Sequence, residues 1–245
     1  MRSWLLSGLA LAMSVQAQWI ASLDLSGEAL SPSRSGPWLD GNASLAWKDS
    51  LWRISGGWRE VRRFDLRDAE AVAQISRKWR DWTWSLDASS GSTEVFLPTR
   101  SFKLGVFLPL SRSWFLGLDG KFAQYASLTV TSPSLLLETY HGAWHAGAGL
   151  SETFASGDRR STAWRALVDR SWSDRSAAGV QGGQSTDFER VGERIMETRV
   201  TTLGLFCRQE LSSGLLGRVN LGWTRQGEVH DRWGGGVGLE YSFGR

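Results

Sequence analysis

Three histidines are the residues of this 245-residue chain best suited to acid–base chemistry. His230 stands beside Asp231, and a protease-like Asp/His site could use such a pair. Nothing in the sequence supplies an activated nucleophile for it, so an exposed histidine in a connection is the favoured interpretation. His145 falls on a polar register and His141 in a tight turn. The sequence therefore predicts no catalytic residues and no enzyme.

The single cysteine and the scattered charges exclude several other classes of site. Cys207 has no partner for a disulfide within the chain and no companion for a cysteine-based metal cluster. We find no metal-ligand spacing, and we expect neither a metal nor another cofactor. The formal net charge is only +3, without a basic block, so nucleic acid is not an expected partner.

The densest group of charges lies between Arg59 and Asp68, which we expect to form a long loop. Arginine forks there could bind anionic sugars or lipopolysaccharide phosphates, or the group could be a solvated loop with weak ion pairs. A second mixed run, 187–199, has the same two interpretations. The loop-binding candidates are Arg62, Arg63, Asp65, Arg67 and Asp68.

Apolar and polar residues alternate with a period of two along much of the chain, which predicts that the residues above are carried on β-strands. Across 232–243, apolar or aromatic residues take most odd positions, and small, polar or charged residues take the even ones. Successive side chains of a strand point to opposite faces, so the segment is predicted to have one oily face and one wet face. Similar stripes occupy 82–88, 102–110, 114–122, 144–150 and 219–223.

Tryptophans and connections indicate a membrane barrel rather than a soluble sandwich. Aromatic rings at both ends of an apolar band form the interfacial girdle of such barrels. Eight tryptophans end stripes in this way: Trp47, Trp52, Trp79, Trp82, Trp114, Trp144, Trp172 and Trp233. Short turns near 49–50, 80–81, 111–112, 141–142, 173–174 and 212–214 alternate with longer connections near 28–40, 62–67, 91–99, 153–160 and 185–195. This asymmetry predicts an all-β, transmembrane, antiparallel up-and-down β-barrel of about 14 strands, or about 12 if one hairpin is misplaced.

The inward register of that barrel carries a mixed set of charges. They could line a water-filled path that selects solutes by charge, or they could pair across the interior and close it. The lumen candidates are Arg53, Arg59, Lys103, Asp119, Lys121, Glu138, Arg165, Asp169, Arg208, Glu210, Arg218, Arg232 and Glu240, with Lys48, Glu70, Lys78 and Asp87 on the same register.

The first residues are typical of a signal peptide. Arg2 precedes a short apolar stretch, and Val15-Gln16-Ala17 resembles a cleavage site. We therefore expect a signal peptide over residues 1–17, a barrel over 18–245, and export to the outer membrane of a Gram-negative-type bacterium. No stretch approaches the ~18 apolar residues of a helical membrane span.

From about Trp47 to Phe243 the chain resembles the YaiO family of outer-membrane β-barrel proteins. The resemblance rests on EVRRFDLRD at 60–68, VFLPTRSFKLG at 95–105, SLLLETYHGAWHAG at 134–147 and GRVNLGWTRQGEVHDRWGGGVGLEYSF at 217–243. It implies a barrel of unknown activity, often found in settings of cell-surface polysaccharide production. A terminal aromatic residue, here Phe243 followed by Gly244 and Arg245, is what the barrel-assembly machinery is expected to recognise.

The sequence thus predicts a non-enzymatic barrel that serves as a conduit or accessory component in surface polysaccharide production or export. The alternatives are a closed structural or glycan-binding barrel, and a barrel that hydrolyses lipids or peptides. The expected partners are outer-membrane lipid and lipopolysaccharide, the barrel-assembly machinery, and polysaccharide or envelope export components.

Overall fold

The computed structural model describes residues 17–31, 36–63, 65–91, 96–126, 128–157, 159–191, 194–227 and 230–244, with backbone alone for 187–197 and 230. These residues form fourteen antiparallel strands that close into one barrel, which confirms the predicted fold class and its larger strand number. The strands are β1 (Gln18–Ser31), β2 (Trp38–Lys48), β3 (Trp52–Arg63), β4 (Leu66–Trp79), β5 (Trp82–Gly91), β6 (Arg100–Pro109), β7 (Trp114–Gln124), β8 (Thr129–His141), β9 (Trp144–Ala155), β10 (Arg159–Ser173), β11 (Ser176–Val191), β12 (Arg194–Ser212), β13 (Leu215–Gln226) and β14 (His230–Phe243).

Every strand pairs with its neighbours in the chain, and the first pairs with the last. The closing ladder between β1 and β14 runs from Trp19 opposite Phe243 to Ser31 opposite Asp231. Closure leaves no unpaired strand edge, and the backbone N–H and C=O groups are therefore satisfied within the sheet. None of the described residues forms a helix long and apolar enough to cross a membrane.

The barrel exposes its large apolar side chains on the outside, the reverse of the arrangement in a soluble protein. Large apolar side chains on the outer face are widely exposed, as in Leu104 (58%), Leu221 (60%) and Val237 (60%). Buried apolar residues are few and mostly small, such as Ala46 and Ala177. A contiguous exposed apolar surface of this kind is typical of proteins that contact lipid.

Tryptophans ring the end of the barrel that carries the short turns. Trp19 pairs with Trp47, and Trp79 pairs with Trp82, across adjacent strands. The guanidinium of Arg77 lies 4.7 Å from the ring centre of Trp52 and 5.0 Å from that of Trp79. These cation–π contacts join a charge to the aromatic belt at the expected membrane boundary.

Several connections at the opposite end are shorter than the sequence predicts, although the predicted 91–99 connection agrees with the ends of β5 and β6. The prediction of a long loop over 62–67 is wrong, because β3 runs to Arg63 and β4 begins at Leu66. Asp65 lies in the turn between them, with a φ of 61°. Aspartate tolerates this left-handed conformation, so a tight hairpin turn suffices. The 185–195 loop is likewise wrong, because β11 and β12 extend through most of it. Charges of both signs in these segments are compatible with strands that project beyond the apolar band into water.

Candidate functional site: the barrel lumen

Cross-strand pairing places the predicted lumen charges on the inner face. Directly opposed residues share a face of the sheet, and the exposed apolar stripes identify the outer one. On β12, for example, Leu203, Leu205 and Cys207 are exposed outside, so Arg208 and Glu210 alternate inward. The same counting directs the other predicted lumen residues inward: Lys48, Arg53, Arg59, Glu70, Lys78, Asp87, Lys103, Asp119, Lys121, Glu138, Arg165, Asp169, Arg218, Arg232 and Glu240.

An ion-pair network occupies the lumen near β2–β4. Arg59 donates to Asp40 at 2.6 Å and to Glu70 at 3.3 Å. The guanidinium groups of Arg63 and Arg232 both lie over Trp38, 4.6 and 4.8 Å from the ring centre. These contacts fill this part of the interior with fixed side chains.

Tyr125 stands next to the network in the connection that follows β7. Burial raises the pKa of its hydroxyl, and the negative charge of Glu70 adds to the effect. The tyrosine is therefore a neutral neighbour that leaves the charge balance of the network to its arginines and carboxylates.

Other lumen charges are paired by residues that sequence reasoning missed. Asp24 accepts from Arg218 at 3.0 Å, and Glu28 lies 3.5 Å from Arg232. Both carboxylates belong to the even register of β1, opposite the stripe that contains Leu23, and that register could have identified them. Lys103 and Asp119, both predicted, lie 3.5 Å apart.

The proposed loop-binding cluster is not a loop and does not form one surface. Arg62 of β3 lies opposite Arg67 of β4 in the strand ladder, and both are on the outer face. Of the five residues, only Asp65 lies in the turn. Arg63 faces inward, and Asp68 is fully buried and accepts hydrogen bonds from the backbone N–H groups of Phe96 and Leu97. Because the strands continue through this segment, alternation sends neighbouring charges to opposite faces. Asp68 thus anchors the connection between β5 and β6.

A histidine cluster lies on the inner face of β8–β10. His145 Nδ1 lies 2.8 Å from Asp169 Oδ2, and its Nε2 lies 3.7 Å from Glu138 Oε1. The ring of Tyr140 stacks on His145 at 4.4 Å, and its hydroxyl donates to Glu138 at 3.3 Å. A carboxylate can orient an imidazole for catalysis, but a nucleophile must then hydrogen-bond to the other nitrogen. Among the described residues no hydroxyl or thiol does so.

The predicted His230–Asp231 pair falls partly outside the described side chains. The backbone places Asp231 opposite Arg225 of β13, on the outer face near the start of β14. Within the described part of the chain, no three His, Cys, Asp or Glu residues are grouped to hold a metal ion.

A cavity of about 950 Å³ occupies the half of the lumen bounded by β8–β14 and β1. Its wall is rich in inward glycines, among them the cross-strand row Gly204, Gly222 and Gly234 on β12, β13 and β14. Glycine has no side chain, so the backbone itself forms the wall and the lumen stays wide. The barrel interior is therefore asymmetric, with side chains crowded on one wall and stretches of bare backbone between the side chains of the other.

Comparison with known proteins identifies the fold and nothing narrower. No family model matches the chain, and no curated protein matches its sequence. A solved "Bacterial polysaccharide outer membrane secretin" is similar with a TM-score of 0.63 and 11% identity, over 94% of this chain and 99% of that one. The "CymD monoaromatic hydrocarbon channel" is similar at 0.62 and 9%, over 95% and 89% of the two chains.

A third similar structure is the "KdgM porin in complex with disordered oligogalacturonate". Its TM-score is 0.50 at 10% identity, over 91% of this chain and 99% of that one. The chain has the fold of the outer-membrane β-barrels. At these identities the likeness concerns the fold alone, and membership of the YaiO family stays a prediction.

Proposed function

We propose that this protein is a non-enzymatic, porin-like barrel of a Gram-negative-type outer membrane that provides a hydrophilic conduit in the production or export of cell-surface polysaccharide. The observation that carries the proposal is the lumen cavity of about 950 Å³ with its glycine wall. Interiors of eight-stranded barrels are filled by side chains, and those of 16–18 strands leave a channel. A barrel of fourteen strands falls between these cases, so the strand number alone does not decide whether the lumen is open. Glycines on the inner face provide the space for an open lumen.

The outer surface supports the same placement. Its exposed leucines, valines and tryptophans match a lipid environment, in which lipid and lipopolysaccharide are the natural partners. The proposal includes export by the signal peptide over 1–17, which lies outside the described residues except Ala17, and folding by the barrel-assembly machinery. The resemblance to YaiO barrels and the likeness in fold to a polysaccharide secretin support a role beside envelope export components.

A closed barrel that binds glycans is the second candidate. The observation that favours it is the Asp40–Arg59–Glu70 network with the stacked Arg63, Trp38 and Arg232, which crowds one side of the lumen. Conductance distinguishes the two functions, because only an open lumen carries ions.

Single-channel recording with a plugging variant tests the conduit. A Cβ built on Gly222 meets only the carbonyl oxygen of Leu203, at 3.7 Å, so Gly222→Trp should fold and project an indole into the cavity. We expect discrete conductance steps from the wild type in planar bilayers, reduced severalfold in Gly222→Trp.

Gly120→Trp is the matched control, because Gly120 lies on the outer face of β7 and a Cβ there meets nothing within 4 Å. Its conductance should equal that of the wild type. Absence of steps from folded wild-type protein would instead establish a closed lumen.

A further inference from the structure

The glycine-rich wall of the cavity carries arginines at two levels. At one level Arg208 of β12 lies directly opposite Arg218 of β13, and both line the cavity. At the other level a cross-strand row joins Arg165 of β10 to Arg232 of β14. The row passes through Gly183, Thr202 and Thr224. Along β12 the levels are six residues apart, from 202 to 208, which corresponds to about 20 Å of strand.

Two of these four arginines lack a counter-charge. Arg218 is paired with Asp24 and Arg232 with Glu28, whereas Arg165 and Arg208 have no ion-pair partner among the described residues. Like charges directly opposite each other on a sheet repel. Asp24 relieves this repulsion only in part, since it neutralises Arg218 and leaves Arg208 charged. Arg165 and Arg208 together outweigh Asp169, the carboxylate of the same lining that contacts His145, so the wall keeps a net positive charge that an anion would neutralise.

Glycines allow these side chains to lie against the wall. A Cβ on Gly149 would stand 3.0 Å from Nε of Arg165, and one on Gly238 would stand 3.1 Å from Nε of Arg218. The Nε atoms of Arg218 and Arg232 are also buried without a hydrogen-bond partner in the described structure.

We propose that this wall binds an extended anionic saccharide chain. This inference rests on the proposed function and names the substrate class of the same lumen. Guanidinium groups at both levels bind carboxylates or phosphates on the chain, in fork geometry. Between the levels, the Gly204–Gly222–Gly234 row leaves room for sugar rings, and the Gln181 and Asn220 amides can pair with hydroxyl groups.

The opposite wall also carries cations, but none of them lines the cavity. There Arg59 is neutralised by Asp40 and Glu70, and Lys103 by Asp119, whereas Lys48, Lys78 and Lys121 face inward without an ion pair among the described residues. Arg53 faces the lumen without an ion pair in the described structure, but it does not line the cavity. Arg53 is therefore a control of equal charge.

Calorimetric titration of the full chain in detergent tests the site directly. We expect oligogalacturonate to bind and a neutral malto-oligosaccharide of equal length not to bind. Arg165→Gln and Arg208→Gln should each weaken binding roughly tenfold, the loss expected for one charge-assisted hydrogen bond, while Arg53→Gln should change it less than twofold. Heat-modifiable migration on a gel verifies that each variant is folded.

Three outcomes overturn the proposal: no binding of oligogalacturonate, equal binding of the neutral chain, or an equal loss in Arg53→Gln. Equal affinity for tripolyphosphate would overturn the assignment to a saccharide. Planar-bilayer recording separates this inference from the conduit itself. Binding that requires the arginines without any conductance would retain the saccharide site and reject the conduit; conductance without binding would do the reverse.

Discussion

Individual glycines decide what the inner face of this barrel can hold. Gly179 of β11 lies opposite Asp169, the carboxylate that contacts His145. A Cβ at Gly179 would stand 2.4 Å from the carbonyl oxygen of Val168 and 2.5 Å from Cβ of Asp169. Real Cβ atoms do not approach so closely, and one of the two neighbours is backbone. This glycine is thus a packing requirement of the histidine cluster.

Gly179→Ala should destabilise the barrel, because the β10–β11 ladder must move to accept the methyl group. We expect a loss of about 1–3 kcal/mol, the usual cost of overpacking. Denaturant unfolding followed by tryptophan fluorescence measures it. Gly120→Ala, where a Cβ meets nothing within 4 Å, should unfold near the wild-type midpoint. Equal midpoints for the two variants would contradict the packing argument.

At the scale of the strand, alternation separates a lipid face from a water face. On β12 and β13 the outer stripe contains Cys207 opposite Val219, and the inner stripe contains Asn220, which lines the cavity. Neighbouring positions on one strand should therefore meet different solvents.

Cysteine labelling in liposomes tests this alternation. Cys207 should resist a charged maleimide, because its thiol faces the apolar band. In a Cys207→Ser background, Asn220→Cys should react and the adjacent Val219→Cys should not. Equal labelling of positions 219 and 220 would show that the strand does not separate lipid from water.

For the whole molecule, closure between β1 and β14 is the contact on which all the others depend. Leu23 lies in the middle of β1, opposite Leu239 on one side and Ala43 on the other. Since β1 has a partner on each side, a proline there removes a ladder hydrogen bond whichever way the N–H points.

Leu23→Pro should therefore prevent closure and abolish the fast-migrating folded band on unheated gels. Gly36→Pro introduces the same residue into the connection between β1 and β2, where a Cβ meets nothing within 4 Å, and should keep that band. A folded band from Leu23→Pro would mean that the seam tolerates a broken ladder.

Much of the architecture follows from local pattern, and its errors have physical causes. Period-two stripes and terminal tryptophans predict the strands, because a lipid-facing strand must alternate whatever its neighbours are. The pattern misses the 62–67 hairpin, because the two strands extend beyond the apolar band there. In water both faces of a strand can carry charged residues, so the alternation disappears and the segment resembles a loop. The pattern also misses the roles of Asp68 and His145, because their partners at Leu97 and Asp169 lie on other segments of the chain.

The sequence by itself determined the fold class, the strand number to within a hairpin, and the face on which the predicted lumen charges lie. These depend on alternation, a property of residues next to each other in the chain. Only the tertiary structure decided which charges neutralise one another and which do not. That outcome depends on strand register, which brings Asp24 to Arg218 across the seam and leaves the neighbouring Arg208 without an ion pair in the described part of the chain.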